Sequence, residues 1–142
     1  MSQNPIDYLC VIDDDEIYQF TLLKTIEASK LVRKTISFYN GELAINFLNE
    51  QIKNQVENGE FPDVIFLDLN MPVMDGWEFL ELYVQIRPNI GKKVLVYVVS
   101  SSNIEYEIKK AKSISDVSDY IVKPITREHL ITIAEELAKN MN

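Results

Sequence analysis

One cysteine, one histidine and one tryptophan occur in 142 residues, alongside only four glycines and five prolines. Each scarcity narrows the possibilities. Cys10 alone forms neither an intramolecular disulfide nor a thiolate metal cage, and its place in the apolar run from Tyr8 to Ile12 marks it as a core thiol. Bases are the minority charge: 14 Lys and Arg against 22 Asp and Glu leave a formal net charge of -8, with no run of Lys and Arg. That balance argues against direct binding to DNA or to an anionic membrane. No apolar stretch approaches the roughly 18 residues of a membrane span, and the N-terminus lacks the basic-then-apolar order of a signal peptide. A soluble, cytoplasmic protein is expected. Neither GxGxxG nor GxxxxGK[ST] is present, so the usual glycine-rich phosphate cradles are missing.

What is present is alternation. With 46% hydrophobic residues, the chain suits one domain over residues 1–142, its core at about 7–140, with no repeat, linker or room for an attached output domain. Short apolar runs at Tyr8–Ile12, Thr35–Tyr39, Val64–Leu67, Val94–Val99 and Tyr120–Val122 read as strands. Between them lie stretches with apolar residues three and four apart: around Phe20, Leu23 and Ile26, from Glu42 onward, from Gly76 to Ile86, from Ile104 to about Lys112, and from Thr126 to about Met141. Strand and helix in turn give an α/β fold with a parallel sheet. The second helix is expected to reach toward Glu57 before Asn58-Gly59 stops it, with the polar stretch Asn49 to Glu60 projecting into water. Thr126 is expected to cap the last helix, and Trp77 to pack at the start of the third.

In such a sheet, ligands bind outside the carboxyl ends of the strands, where the strand order reverses. Asp13, Asp14 and Asp15 follow the first strand, Asp68 the third and Ser100 the fourth, while Lys123 ends the fifth. Acids at a helix start ordinarily cap it. Asp68 needs more, because converging carboxylates repel and raise one another's pKa unless a cation joins them. Oxygen ligands without His or Cys suit magnesium or manganese. With a cation, Lys123 and the Ser100 hydroxyl nearby, the Asp68 carboxylate becomes a candidate nucleophile toward phosphorus.

Four motifs, VIDDD, DVIFLDLNMPVMDG, SSS and YIVKP, occur in this order, and through them the chain resembles the receiver domain of two-component response regulators over nearly its whole length. The resemblance implies a flavodoxin-like doubly wound sheet of five strands in the order 2-1-3-4-5, with five helices. It implies phosphorylation of Asp68 and a Mg2+ ion (Mn2+ possible) held by Asp13, Asp14, Asp68 and the backbone carbonyl of Asn70, Asp14 being the more direct ligand. Lys123, before a cis Pro124, would contact the phosphoryl group. Ser100 would be the switch hydroxyl and Tyr120 the aromatic residue that turns inward with it. Counting back from Lys123 without a gap favours Ser101; Ser100 is preferred as the first residue after the apolar strand, with Ser115-Asp116 read as a one-residue expansion.

The implied role is that of a single-domain regulator in a phosphorelay: not a turnover enzyme, but one that assists its own phosphorylation and dephosphorylation. Its partners would be a sensor histidine kinase or histidine phosphotransfer protein and a downstream effector protein. Phosphotransfer histidines need a helical bundle, which this alternation does not make, and His129 reads as a surface or packing residue. Phosphatases with an aspartate nucleophile carry a second Asp two residues on, where this chain has Asn70. The remaining alternative is a receiver-fold interaction module that works without phosphorylation.

Overall fold

The structure, a computed structural model, describes residues 4–54 and 60–140. Strands β1 (Ile6–Ile12), β2 (Val32–Phe38), β3 (Val64–Leu67), β4 (Leu95–Ser100) and β5 (Val117–Val122) form one parallel sheet in the order β2-β1-β3-β4-β5. Helices α1 (Glu16–Ser29), α2 (Gly41–Asn54), α3 (Gly76–Ile86), α4 (Glu105–Lys112) and α5 (Arg127–Asn140) alternate with them. This is the flavodoxin-like, doubly wound arrangement the sequence led us to expect.

Helices on both faces explain why the central strands are almost continuously apolar. Along β1, Leu9 and Val11 enter one core with Leu22 and Ile26 of α1 and Leu130 and Ile133 of α5. Cys10 and Ile12 enter the opposite core, with Leu48 of α2 and Phe79 and Tyr83 of α3. Cys10 is fully buried, and burial pushes its thiol pKa up, as befits a core thiol.

The outer strands extend further than their apolar runs. β2 begins at Val32 although Arg33 and Lys34 follow, and β5 begins at Val117 although Ser118 and Asp119 follow. Both are edge strands, where charged side chains turn to water at little cost. β5 also absorbs an extra residue: Val96 faces Val117 but Tyr97 faces Asp119, so Ser118 is passed over. The irregularity sits inside the strand. Beyond it Ser100 faces Val122, and the Lys123 N–H donates to the Ser100 carbonyl at 2.9 Å. Ser100 is therefore the last residue of β4, not the first after it.

Capping fixes where helices begin. The Asp15 carboxylate accepts from the Tyr18 N–H at the start of α1, and Asp75 with Glu78 forms a reciprocal capping box on α3. At α5 the Thr126 hydroxyl accepts from the His129 N–H, while His129 Nδ1 accepts from the Thr126 N–H at 2.9 Å. That is a capping box with histidine in the place of Glu. Trp77 packs at the start of α3, its ring under the Lys110 ammonium at 4.3 Å.

Of the polar stretch after Asn49, residues 49–54 continue α2. Asn49, Glu50, Lys53 and Asn54 are exposed, as expected of a stretch that projects into water, while Gln51 and Ile52 are half-buried, Ile52 against the core, and Gln51 Oε1 accepts from the Glu60 N–H. The expected stop at Asn58-Gly59 lies outside the described residues.

Candidate functional site

The carboxyl ends of β1 and β3, between which the strand order reverses, deliver the acids. The Asp13 N–H donates to the Phe38 carbonyl at 3.0 Å and the Asp68 N–H to the Ile12 carbonyl at 2.9 Å. Both aspartates are thus held on the last rungs of the sheet ladder. Asp13, Asp14 and Asp68 each place a carboxylate oxygen within 4.8 Å of the others. Asp13 and Asp68 are buried, whereas Asp14 is exposed.

Positive charge comes from the residue that follows β5. Lys123 Nζ lies 2.8 Å from Asp13 Oδ2 and 3.9 Å from Asp68 Oδ1. The other Asp13 oxygen, Oδ1, accepts from the Asp15 N–H at 2.9 Å. The peptide bond between Lys123 and Pro124 is cis. One ammonium does not satisfy three carboxylates. Burial first, and the Asp13 charge second, push Asp68 up to about 6, against the pull of Lys123 and of the Asn70 N–H that donates to its carboxylate. This excess negative charge in an all-oxygen donor set suits a hard divalent cation. Asp13, Asp14 and Asp68 are the residues that could hold it.

Ser100 and Tyr120 meet on a third residue. Ser100 is fully buried, and its Oγ accepts from the Ser102 N–H at 3.1 Å; the Tyr120 hydroxyl donates to the Ser102 carbonyl at 2.9 Å. The Tyr120 ring is already turned inward, 9% exposed. Ser101 is exposed.

Two neighbours on α1 escaped the sequence reading. Gln19, 1% exposed, donates through Nε2 to the carbonyls of Asp13 and Phe38 at 2.9 and 3.0 Å, clamping the turn that carries the acids. Tyr18 lies beneath Lys123, whose Nζ is 4.2 Å from the ring centroid. Each is a single residue on a helix whose exposed side also bears Ile17 and Phe20, so apolar periodicity hid them.

The loop after β3 is shaped by its backbone. The Met74 N–H donates to the Pro72 carbonyl at 2.8 Å, a three-residue turn centred on Val73 at φ 71°. At Gly76 any side chain would collide, since a Cβ there would lie 2.5 Å from the Asp68 carbonyl oxygen and 2.7 Å from Leu69 Cα.

The family described as "Response regulator receiver domain" matches residues 9–135. The chain belongs to this family. Among solved receivers, a two-component response regulator from Cytophaga hutchinsonii superposes with a TM-score of 0.85 at 32% identity, covering 94% of this chain and 98% of that one. Response regulator Rcp1 of Synechocystis is 29% identical over 74% of this chain and 69% of its own length. A solved Mn(2+)-bound form of Rcp1 has a TM-score of 0.66 at 23% identity and covers 93% of this chain and 91% of that one. The protein-glutamate methylesterase/protein-glutamine glutaminase of group 2 operon from Rhodospirillum centenum is 28% identical over 84% of this receiver chain, which spans only 27% of that larger protein. Membership places the chain in two-component signalling. Among the described residues, no helix is long and apolar enough to cross a membrane.

Proposed function

We propose that the chain acts as one receiver domain that takes a phosphoryl group onto Asp68 from a phosphohistidine donor, either a sensor histidine kinase or a histidine phosphotransfer protein. The observation that supports this is the convergence of the Asp13, Asp14 and Asp68 carboxylates within 4.8 Å, with Lys123 Nζ at their edge. An Asp68 carboxylate oxygen attacks phosphorus opposite the donor imidazole. The O–P bond forms as the N–P bond breaks, and the imidazole leaves with the electron pair and takes a proton from water.

Most of the catalysis is positioning and charge neutralisation. Asp13, Asp14, Asp68 and the Asn70 carbonyl would hold magnesium, with manganese able to substitute, and the ion would offset charge on the phosphoryl oxygens. Lys123 offers a compact charge at the same edge. Ser100 Oγ accepts from the Ser102 N–H, which leaves its own proton free to donate to a phosphoryl oxygen. When Ser100 turns toward that oxygen it releases the Ser102 N–H, and Ser102 also holds Tyr120. The added charge thereby biases the surface of α4, β5 and α5. A downstream effector protein in the cytoplasm reads that surface, without direct contact to DNA or membrane, in keeping with the net charge of -8.

The test is incubation with acetyl phosphate and Mg2+, followed by intact mass measurement. The expected result is a gain of about 80 Da for one phosphoryl group, absent in Asp68→Ala. No adduct with any donor or metal would overturn the acceptor role and favour an interaction module independent of phosphorylation.

A further inference from the structure

Lys123 lies against Asp13, Asp68 and the uncharged ring of Tyr18. The same residue reaches across the next turn of chain, where its hydroxyl accepts from the Ile125 N–H at 3.4 Å. Tyr18 stands in the first turn of α1, and helix side chains lean toward the N-terminus, here toward the carboxyl edge of the sheet. We propose that Tyr18 is a positioning residue for phosphoryl transfer: its ring seats the Lys123 ammonium and its hydroxyl holds the Ile125 peptide, bracing the loop on both sides of Pro124.

A lysine ammonium is strongly hydrated and sits on a flexible four-carbon stem, so holding it in one place has an entropic cost. An aromatic face lowers that cost while adding no negative charge. Asp13 also holds Lys123, but it neutralises the charge that a phosphoryl oxygen needs. The ring leaves that charge available, and the side chain stays only 16% exposed. The orientation is then set before a donor arrives, which is the source of rate in a reaction that depends on positioning. This role rests on Asp68 being the acceptor.

Three measurements separate the possibilities. With acetyl phosphate and Mg2+, Tyr18→Leu is expected to slow adduct formation roughly 3- to 30-fold, the worth of a partly shielded cation–π contact, while Tyr18→Phe restores the rate to within about twofold. On a Lys123→Met background, Tyr18→Leu should have no further effect. In NMR spectra, the ring current should move the Lys123 ε-methylene protons upfield in the wild type and in Tyr18→Phe, but not in Tyr18→Leu. Calorimetric Mg2+ binding should persist in all Tyr18 variants, which shows the acidic turn intact. A missing upfield shift in the wild type overturns the seat whatever the chemistry. A shift that is present, with Tyr18→Leu as fast as the wild type, overturns the positioning role alone. A wild type that takes no adduct overturns both this role and the acceptor reading.

Discussion

Lys123 Nζ is 2.8 Å from Asp13 Oδ2 but 3.9 Å from Asp68 Oδ1, so the lysine is paired mainly with Asp13 and not with Asp68, the proposed acceptor. A divalent cation held by Asp13 would therefore compete with the lysine for the same carboxylate. Lys123→Met should bind Mg2+ more tightly than the wild type in calorimetry and yet take a phosphoryl group more slowly. Without metal it should lose about 2–4 kcal/mol of stability, because a buried Asp13 is left beside Asp68 without its partner. Added Mg2+ should restore much of that loss in urea titrations.

Asp68 stands at about 6, above the value of roughly 3.9 for an unfolded aspartate, so the folded state holds this proton more tightly. The sign follows. Rising pH removes stability across the interval from about 4 to 6, as an ionised Asp68 must be buried beside Asp13. In EDTA, Asp68→Asn should exceed the wild type by about 2–3 kcal/mol at pH 7.5, with the gap closing toward pH 4 in urea unfolding. For the same reason the apparent affinity of the wild type for Mg2+ should fall as pH drops below 6, because protons compete for Asp68.

Val73 is a β-branched residue at φ 71°, a conformation that favours glycine. Its side chain is exposed, so removing it sacrifices little packing. Val73→Gly should stabilise the protein by about 0.5–1 kcal/mol, the relief of strain less the added entropy of an unfolded glycine. Denaturant midpoints at unchanged slope would show it; a loss of stability would mean that the valine side chain makes contacts worth more than the strain.

His129 closes the cap of α5 through Nδ1. His129→Ala should cost about 1 kcal/mol, and His129→Glu should recover most of it, since Glu at the third helical position makes the same reciprocal bond. Thermal melts of the two variants decide this.

How much of this the sequence disclosed depends on what each residue reports. Val64–Leu67 is buried throughout, and composition alone located it with correct ends, whereas β1 begins before its expected run at Tyr8 and β4 runs from Leu95 to Ser100 instead of Val94 to Val99. Edge strands concealed their extent behind Arg33, Lys34, Ser118 and Asp119, because an edge tolerates what a central strand does not. Asp13, Asp14, Asp68, Ser100 and Lys123 were legible because each follows or ends an apolar run at one edge of the sheet. The bulge at Ser118 was not legible, since a bulge has no composition of its own. His129 looked like an ordinary surface residue, as nothing in a lone histidine announces a cap. Tyr18 and Gln19 act through a ring face and a side-chain amide aimed at backbone, and neither interaction leaves a spacing rule to follow.

Gly76 gives the neighbourhood of Asp68 its tolerance in space. The peptide that carries Asp68 and the first residue of α3 occupy almost the same volume, with less than a methyl group between them. Docking of that helix and aim of the carboxylate are consequently one adjustment rather than two. A substitution at Gly76 would mis-set both at once, although residue 76 offers no functional group to any substrate.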